Sequence, residues 1–438
     1  MRPSVASESA RESVPSGGID TRCSQPSTPA ARPRSEISAR RSRNTVRSDT
    51  ARSLSVGCSG VPDILLIGDS IRSPELRHEV QIEIGDPFLY AEVDGRRVAI
   101  VWSVEGDRIA SVDPAIEIVP SETFSMADFL RDGVNLYDVA AFQAVRMVRS
   151  LGITSALVPS SFPLRAADEL RSAGIEIVVD QRHFDDRRRV KSAAELEGVR
   201  VAQRAAEDGM AAIASALRRS ETSAGGRVLA GEVLTCEGLQ LLATEAFALR
   251  GCRGDDLIVA RGAQAADGHD PGSGQVGNDD VVLCDIFPRH LASGCFADMT
   301  RTFRVGAPDE TLSLWHAQCV EALELAVSMV RPGIEGSEMH RAVSAFFEDR
   351  GHPTQFSAPE GSVLRDGFYH GLGHGVGLEV HEAPGLGRFG HPLVAGDVIA
   401  LEPGLYRHGW GGVRVEDLVL VTADACEVLT EYPYGLDP

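Results

Sequence analysis

Asp285 and Asp298 precede a histidine- and glycine-rich segment that holds His374, and Glu402 and Glu416 follow it. Four carboxylates and one imidazole are hard oxygen and nitrogen donors, the set that suits a pair of divalent metal ions. Carboxylates held this close repel one another and resist ionisation unless cations neutralise them. Two divalent ions would balance the four charges. The chemistry such a centre performs is metal-assisted hydrolysis.

Convergence of these residues requires particular elements. Asp285 ends the apolar run Val281-Val282-Leu283-Cys284, and Asp298 opens Met299-Thr300-Arg301-Thr302-Phe303, with Gly294 in the turn between. A hairpin centred between Leu291 and Ala292 would set the two aspartates opposite each other. Glu402 follows Val398-Ile399-Ala400-Leu401, and Glu416 follows Val413-Arg414-Val415. A second hairpin, centred on Gly409, opposes the two glutamates. Side chains directly opposed across antiparallel strands lie about 5 Å apart at Cβ.

Between the hairpins runs His370-Gly371-Leu372-Gly373-His374-Gly375-Val376-Gly377-Leu378-Glu379-Val380-His381. Alternating glycines disfavour a helix, at roughly 1 kcal/mol each against alanine, and allow close approach of another strand or a ligand. In an extended chain His370 and His374 share a face and His381 takes the other. A glycine-supported bulge brings all three to one cleft.

The strings DIF(x10)DMTRTF, HGLGHGVGLEVHE, LEPGLY and VRVED resemble the metal-binding motifs of the pita-bread metallopeptidases, over about residues 188–438. This group contains methionine aminopeptidase, Xaa-Pro aminopeptidase and prolidase. The resemblance implies that Asp285 chelates one metal, that Asp298 and Glu416 bridge both, and that His374 and Glu402 hold the second. It matches His269, His370 and His381 to the family's active-site histidines. The sequence departs from the pattern in two places: twelve residues rather than about ten separate the aspartates, and Cys295 replaces a common aromatic residue.

The implied reaction is peptide-bond hydrolysis through a metal-bound hydroxide. Glu402 serves as general base and proton carrier, His381 and His269 hold the substrate as charge develops, and His370 shapes the pocket. From its own position Arg414 is read as pairing with a metal-binding carboxylate from outside the ligand set; a place on an exposed strand is the alternative. The HGLGHGVGLEVHE string and the region before residue 185 look more like the prolidase and Xaa-Pro aminopeptidase branch, which implies cleavage of dipeptides or short peptides with proline second. A binding protein without catalysis and a metal-free, creatinase-like amidinohydrolase are the alternatives on such a scaffold. Manganese is the first expectation for the metal, and cobalt, iron and zinc also accept these ligands.

The remaining sequence fits a large two-domain enzyme with an α+β architecture. Residues 61–185 alternate strand and helix signals, with Asp94-Gly95 marking a hairpin turn, and resemble the smaller α/β amino-terminal domain of creatinase and prolidase relatives. A charged connector at 185–190 leads to Ser192-Ala193-Ala194-Glu195, a capping box that starts a long helix. Helices near 192–218, 235–249, 309–330 and 337–349 cover the metal-bearing sheet of a catalytic domain at 188–438. The formal charge of -20 argues against nucleic acid or an anionic membrane as partner, and no run of about 18 apolar residues would span a bilayer. Eight cysteines without a CxxC pair favour a reducing compartment, here the cytoplasm. Family members commonly pair, implying a homodimer. Residues 1–60, rich in Ser, Arg, Pro and Thr, read as a disordered leader: a dispensable tail, an over-extended start or a transit peptide. Cys284 and Cys295 carry no sign of an activated thiolate. Gly272–Gly277 matches a dinucleotide fingerprint in letters only, because no helix follows it.

Overall fold

A computed structural model describes residues 62–307 and 309–438, of residues 136–138 the backbone only. The reading of 1–60 as a leader therefore lies outside the described residues. Towards the amino terminus a six-stranded sheet is ordered Ile116–Pro120, Arg96–Val101, Phe88–Val93, Ile64–Gly68, Ser155–Val158, Glu176–Val179. The hairpin at its centre turns on Asp94 and Gly95, both with positive φ (50° and 75°). That is the two-residue turn whose twist matches the flanking strands, and the Asp-Gly pair is suited to it. Helices Ser103–Val112, Leu136–Ser150 and Leu164–Ser172 alternate with these strands.

One expectation is corrected at the junction. Residues 185–190 are no free connector but the end of the helix Gln181–Arg189 and the residue that caps it. Its arginines are placed by charge. Arg189 grips Asp397 through two bonds of 2.9 and 2.7 Å, and Arg188 reaches Glu379 at 2.6 Å and Glu382 at 3.2 Å. The helix thus pairs with carboxylates of the carboxy-terminal half, a long-range match invisible in local pattern.

The long helix Ala193–Arg219 starts as its capping box requires. Ser192 Oγ accepts from Glu195 N at 3.1 Å, and Glu195 Oε2 accepts from Ser192 N at 2.8 Å. It packs on the helix Cys236–Leu249 at Gly209, where an added Cβ would lie 2.4 Å from Phe247 Cε1. Together these helices back the antiparallel sheet Ile258–Arg261, Val281–Ile286, Met299–Arg304, and Met210, Phe247, Val282 and Phe303 share one core. A second pair, Glu310–Met329 and Gly336–Glu348, backs the other half. That half holds a five-stranded sheet, ordered Glu382–Gly385, Gly373–Gly375, Val398–Leu401, Asp417–Val421, Cys426–Val428, and the hairpin Gly404–Arg407 with Gly411–Arg414. The outcome is a mixed α and β architecture with a helix pair behind each set of antiparallel strands.

Candidate metal centre

The aspartate hairpin is displaced from the register read in the sequence. Asp285 pairs with Thr300 and Ile286 with Met299, so its centre falls between Ala292 and Ser293, one residue later than expected. The cause is the turn. His290 N donates to Cys295 O at 2.8 Å, and Gly294 takes a left-handed φ of 81° that closes the four-residue loop. Asp298, two residues from the partner of Asp285, is therefore its diagonal neighbour on the same face, still within reach across the strands.

The glutamate hairpin has the register centred on Gly409. Gly404 pairs with Arg414 and Arg407 with Gly411, and the same register continues in Leu401 opposite Asp417. Glu402 and Glu416 stand opposite each other at the break between the two ladders. Glu416 N donates to Thr300 O at 3.1 Å, which joins the glutamate strand to the aspartate strand. His374 pairs with Ala400, placing it diagonal to Glu402 on the same face.

Glycine makes this approach feasible. A Cβ at Gly373 would lie 1.9 Å from Ala400 O, and one at Gly375 would lie 2.3 Å from Ala383 O. The pairing with Glu382–Gly385 shifts register between His374 and Gly375. This irregularity returns His381 to the site, its ring 4.2 Å from that of His374 and nearly perpendicular to it.

Asp285, Asp298, His374, Glu402 and Glu416 all line one cavity of about 650 Å³, together with His269, His370, His381 and Arg414. His374 Nδ1 donates to Gly375 O at 3.1 Å, leaving Nε2 to face Asp298 Oδ2 at 3.6 Å and Glu402 Oε1 at 3.8 Å. Burial, then the neighbouring His381, lowers the His374 pKa to about 4, so its ring is neutral, the state a metal ligand requires. His269 and His381 are exposed at the rim, whereas His370 lies deeper.

Arg414 is joined by three residues that were not singled out in the sequence, Thr300, Tyr369 and Tyr406. Arg414 Nη2 donates to Asp285 Oδ2 at 2.5 Å, its Nε to Thr300 Oγ1 at 3.0 Å, and its Nη1 to Tyr406 OH at 3.2 Å. Thr300 Oγ1 donates a hydrogen bond to Glu416 Oε2 at 2.6 Å, and Tyr406 OH donates one to His370 Nε2 at 2.9 Å. Arg414 thus orients one carboxylate directly, and through two hydroxyls a second carboxylate and a histidine. Tyr369 OH ties the loop before His269, accepting from Gly268 N at 3.0 Å and donating to Ala266 O at 3.1 Å. Thr300, Tyr369 and Tyr406 sit inside or beside the motif strings, but hydroxyls carry no spacing signal of their own.

Electrostatics indicate what the site would hold. Burial, followed by the charges of Glu416, Asp285 and Glu402, pushes Asp298 well above the carboxylate range. Burial, then Asp285 and Glu402, does the same to Glu416, and burial raises Glu402 to about 7 despite Arg414. Asp285 Oδ1 and Asp298 Oδ1 are buried without a hydrogen-bond partner. Ligand atoms of Asp298, His374 and Glu416 lie within 4.8 Å of one another. Buried acceptors without partners and mutually repelling carboxylates are relieved together by a divalent cation, and the residues present fit one.

The sequence matches metallopeptidase family M24 over residues 197–423, just over half of the chain. The chain belongs to that family. It is 33% identical over 178 residues to the Xaa-Pro dipeptidase of Pyrococcus furiosus, covering 40% of this chain and 47% of that one. With the Xaa-Pro dipeptidase of Pyrococcus horikoshii the identity is 29% over 294 residues, 66% of this chain and 75% of the other. The chain thus spans about half the length of the first relative and three quarters of the second. Among solved structures, the Xaa-Pro dipeptidase of Bacillus anthracis superposes with a TM-score of 0.69 at 22% identity, over 86% of this chain and 95% of that one. The X-Pro aminopeptidase of Thermotoga maritima gives 0.66 at 22% identity over the same shares. These likenesses establish the fold, a pita-bread half preceded by a smaller α/β portion.

Proposed function

We propose that this protein is a peptidase that hydrolyses the Xaa-Pro bond of dipeptides or short peptides, using two divalent ions held by Asp285, Asp298, His374, Glu402 and Glu416. The observation that carries the reading is the convergence of these five side chains on one cavity in which Asp285 and Asp298 each leave a buried oxygen unpaired. The names of the two Pyrococcus relatives support the choice of bond. In this reading Asp298 and Glu416 would be shared between the ions, Asp285 would hold one of them, and His374 and Glu402 would hold the other. Manganese is the proposed metal, and a cytoplasmic homodimer the proposed form.

Bound ions of this kind acidify water and polarise a carbonyl. The chain's own residues do the rest. Glu402, within 3.8 Å of both His370 and His374, takes a proton from the attacking water and delivers it to the leaving nitrogen. His381 and His269, exposed at the rim, hold the peptide on either side of the scissile bond. His370, bonded to Tyr406 and to Gly371 O, is held neutral by burial, then by Arg414, with a pKa of about 3. It forms an uncharged wall against which the substrate rests.

The test is a turnover screen of metal-replete protein with Xaa-Pro dipeptides, Xaa-Pro-initiated pentapeptides, Met-initiated peptides and creatine. Turnover of an Xaa-Pro substrate that disappears with chelation and returns with manganese is expected. Turnover of creatine alone, or full activity in verified metal-free protein, overturns the reading. A strong preference in kcat/KM for the pentapeptide makes the protein an aminopeptidase rather than a dipeptidase.

A further inference from the structure

A second cavity, of about 280 Å³, lies beside the first and shares Val380 with it. Its walls come from Ser70–Pro74 and Arg77 of the amino-terminal portion, from Arg289 and Phe296 of the aspartate hairpin, and from the segment Leu378–Val380 that leads into His381. Three of these side chains are guanidiniums; Arg72 is exposed and pairs with Asp69 Oδ2 at 3.0 Å, which leaves Arg77 and Arg289. Arg77 is 3% exposed, and its Nε and Nη2 donate to Ser293 O and Ala292 O at 3.1 and 2.5 Å. Arg289 donates from Nε to Gly294 O at 3.0 Å and from Nη2 to Ile71 O at 3.2 Å. Both flank Gly294, where an added Cβ would lie 3.2 Å from Arg289 Nη2 and 3.6 Å from Arg77 Nε.

All four of these acceptors are backbone carbonyls, which satisfy N–H groups but cancel no charge. Among the described residues neither guanidinium pairs with a carboxylate. The acid in the lining, Glu379, is held by Arg188 at 2.6 Å. Burial lowers the pKa of both arginines; the charge of Arg289 adds to this at Arg77 and that of Arg253 at Arg289, while the more distant carboxylate of Glu83 opposes it at both. A buried guanidinium with a second, half-buried one beside it at a cavity is costly, and a bound anion relieves that cost. Arginine's planar fork is suited to carboxylate and phosphate oxygens.

We propose that this cavity is a binding site for a small oxyanion, a carboxylate or a phosphate, held between Arg77 and Arg289. The site is separate from the metal centre and borders the segment that carries His381.

The experiment is thermal unfolding of the full chain against inorganic phosphate and acetate, with chloride at equal ionic strength as control. Three proteins are compared: wild type, Arg289→Gln and Ser73→Asp. Ser73 lines the cavity and caps a helix by accepting from Leu76 N at 3.1 Å. Aspartate keeps the cap and supplies a carboxylate in place, at the loss of the bond that Ser73 Oγ donates to Glu75 Oε2 at 3.3 Å. Wild type is expected to show a saturable rise in Tm with phosphate or acetate, beyond that with chloride. Arg289→Gln loses at least about tenfold in apparent affinity, and Ser73→Asp does not respond. An absent response in wild type, or an equal one in all three proteins, overturns the proposal. A second arm rests on the peptidase reading and identifies the source of the anion. If an Xaa-Pro tripeptide has a lower KM than its carboxy-terminal amide, and Ser73→Asp abolishes the difference, the peptide carboxylate occupies the site. Equal KM values with retained phosphate binding assign it to a free anion. Failure of turnover would leave the phosphate result standing.

Discussion

At the scale of single residues, the cavity separates buried carboxylates from exposed histidines at its rim. Asp298 is buried, with an oxygen lacking any partner and three other carboxylates acting on it. His381 is exposed at the rim. Asp298→Ala should therefore remove bound metal and activity together, whereas His381→Ala should lower kcat with metal content near that of wild type. Metal analysis beside steady-state kinetics checks both, and unchanged kinetics in His381→Ala would remove its assigned role. A different histidine contributes to acid sensitivity. His340 is 1% exposed, packed 5.3 Å from the ring of Phe356 and 5.4 Å from that of Phe368. Burial lowers its pKa from 6.5 to about 4. The folded state then binds fewer protons than the unfolded one, so its contribution is present above pH 6.5 and is lost as pH falls towards 4. The loss is at most roughly 3 kcal/mol. His340→Leu should flatten the fall in urea stability across that window. An unchanged slope would place the acid sensitivity elsewhere.

At the scale of elements, the site depends on how closely strands approach. The segment with His374 lies against Val398–Leu401 only because Gly373 has no side chain, since a Cβ there would meet Ala400 O at 1.9 Å. Gly373→Ala should force the strands apart and weaken metal binding by tenfold or more, about 1.4 kcal/mol, although it alters no ligand. Isothermal titration with manganese measures this directly, and wild-type affinity would show that the strand tolerates the shift. Gly294 matters differently: its left-handed φ of 81° closes the aspartate turn and sets the register. Counting residues between the aspartates did not reveal that. The pattern of apolar runs located both strands, but the register followed from the turn's hydrogen bonds.

At the scale of the whole molecule, the amino-terminal portion is tied to the carboxy-terminal half by buried charge. Arg189 meets Asp397 through two bonds, with Asp397 fully buried and its Oδ2 also accepting from Val394 N at 2.8 Å. Lys191, the single lysine of the chain, pairs with Glu382 next to His381. Breaking a buried pair from one side strands the other charge, at about 3–5 kcal/mol. Arg189→Ala should lose stability on that order, and Arg189→Met with Asp397→Leu should recover most of it. Equal losses in the single and double variants would mean that the pair contributes shape rather than charge.

The sequence alone pointed to the five carboxylate and imidazole side chains and Arg414, because ligand chemistry restricts residue types, and through motif order to three further histidines; the structure gathers all nine around one cavity. The sequence also revealed the Asp94-Gly95 hairpin, the Ser192 capping box and the glutamate hairpin centred on Gly409, each a local pattern with a local cause. The hydroxyls of Thr300, Tyr369 and Tyr406, the charged end of the helix Gln181–Arg189 and the pairing of Asp285 with Thr300 emerged only in the tertiary structure. A hydroxyl or a surface-type arginine becomes specific through what packs against it, and those partners lie about 100 or more residues away in several of these contacts. Local periodicity records which face of a strand is buried. Which distant charge or backbone carbonyl meets that face depends on the packing of the two halves, and burial then decides which groups lose water and need a partner.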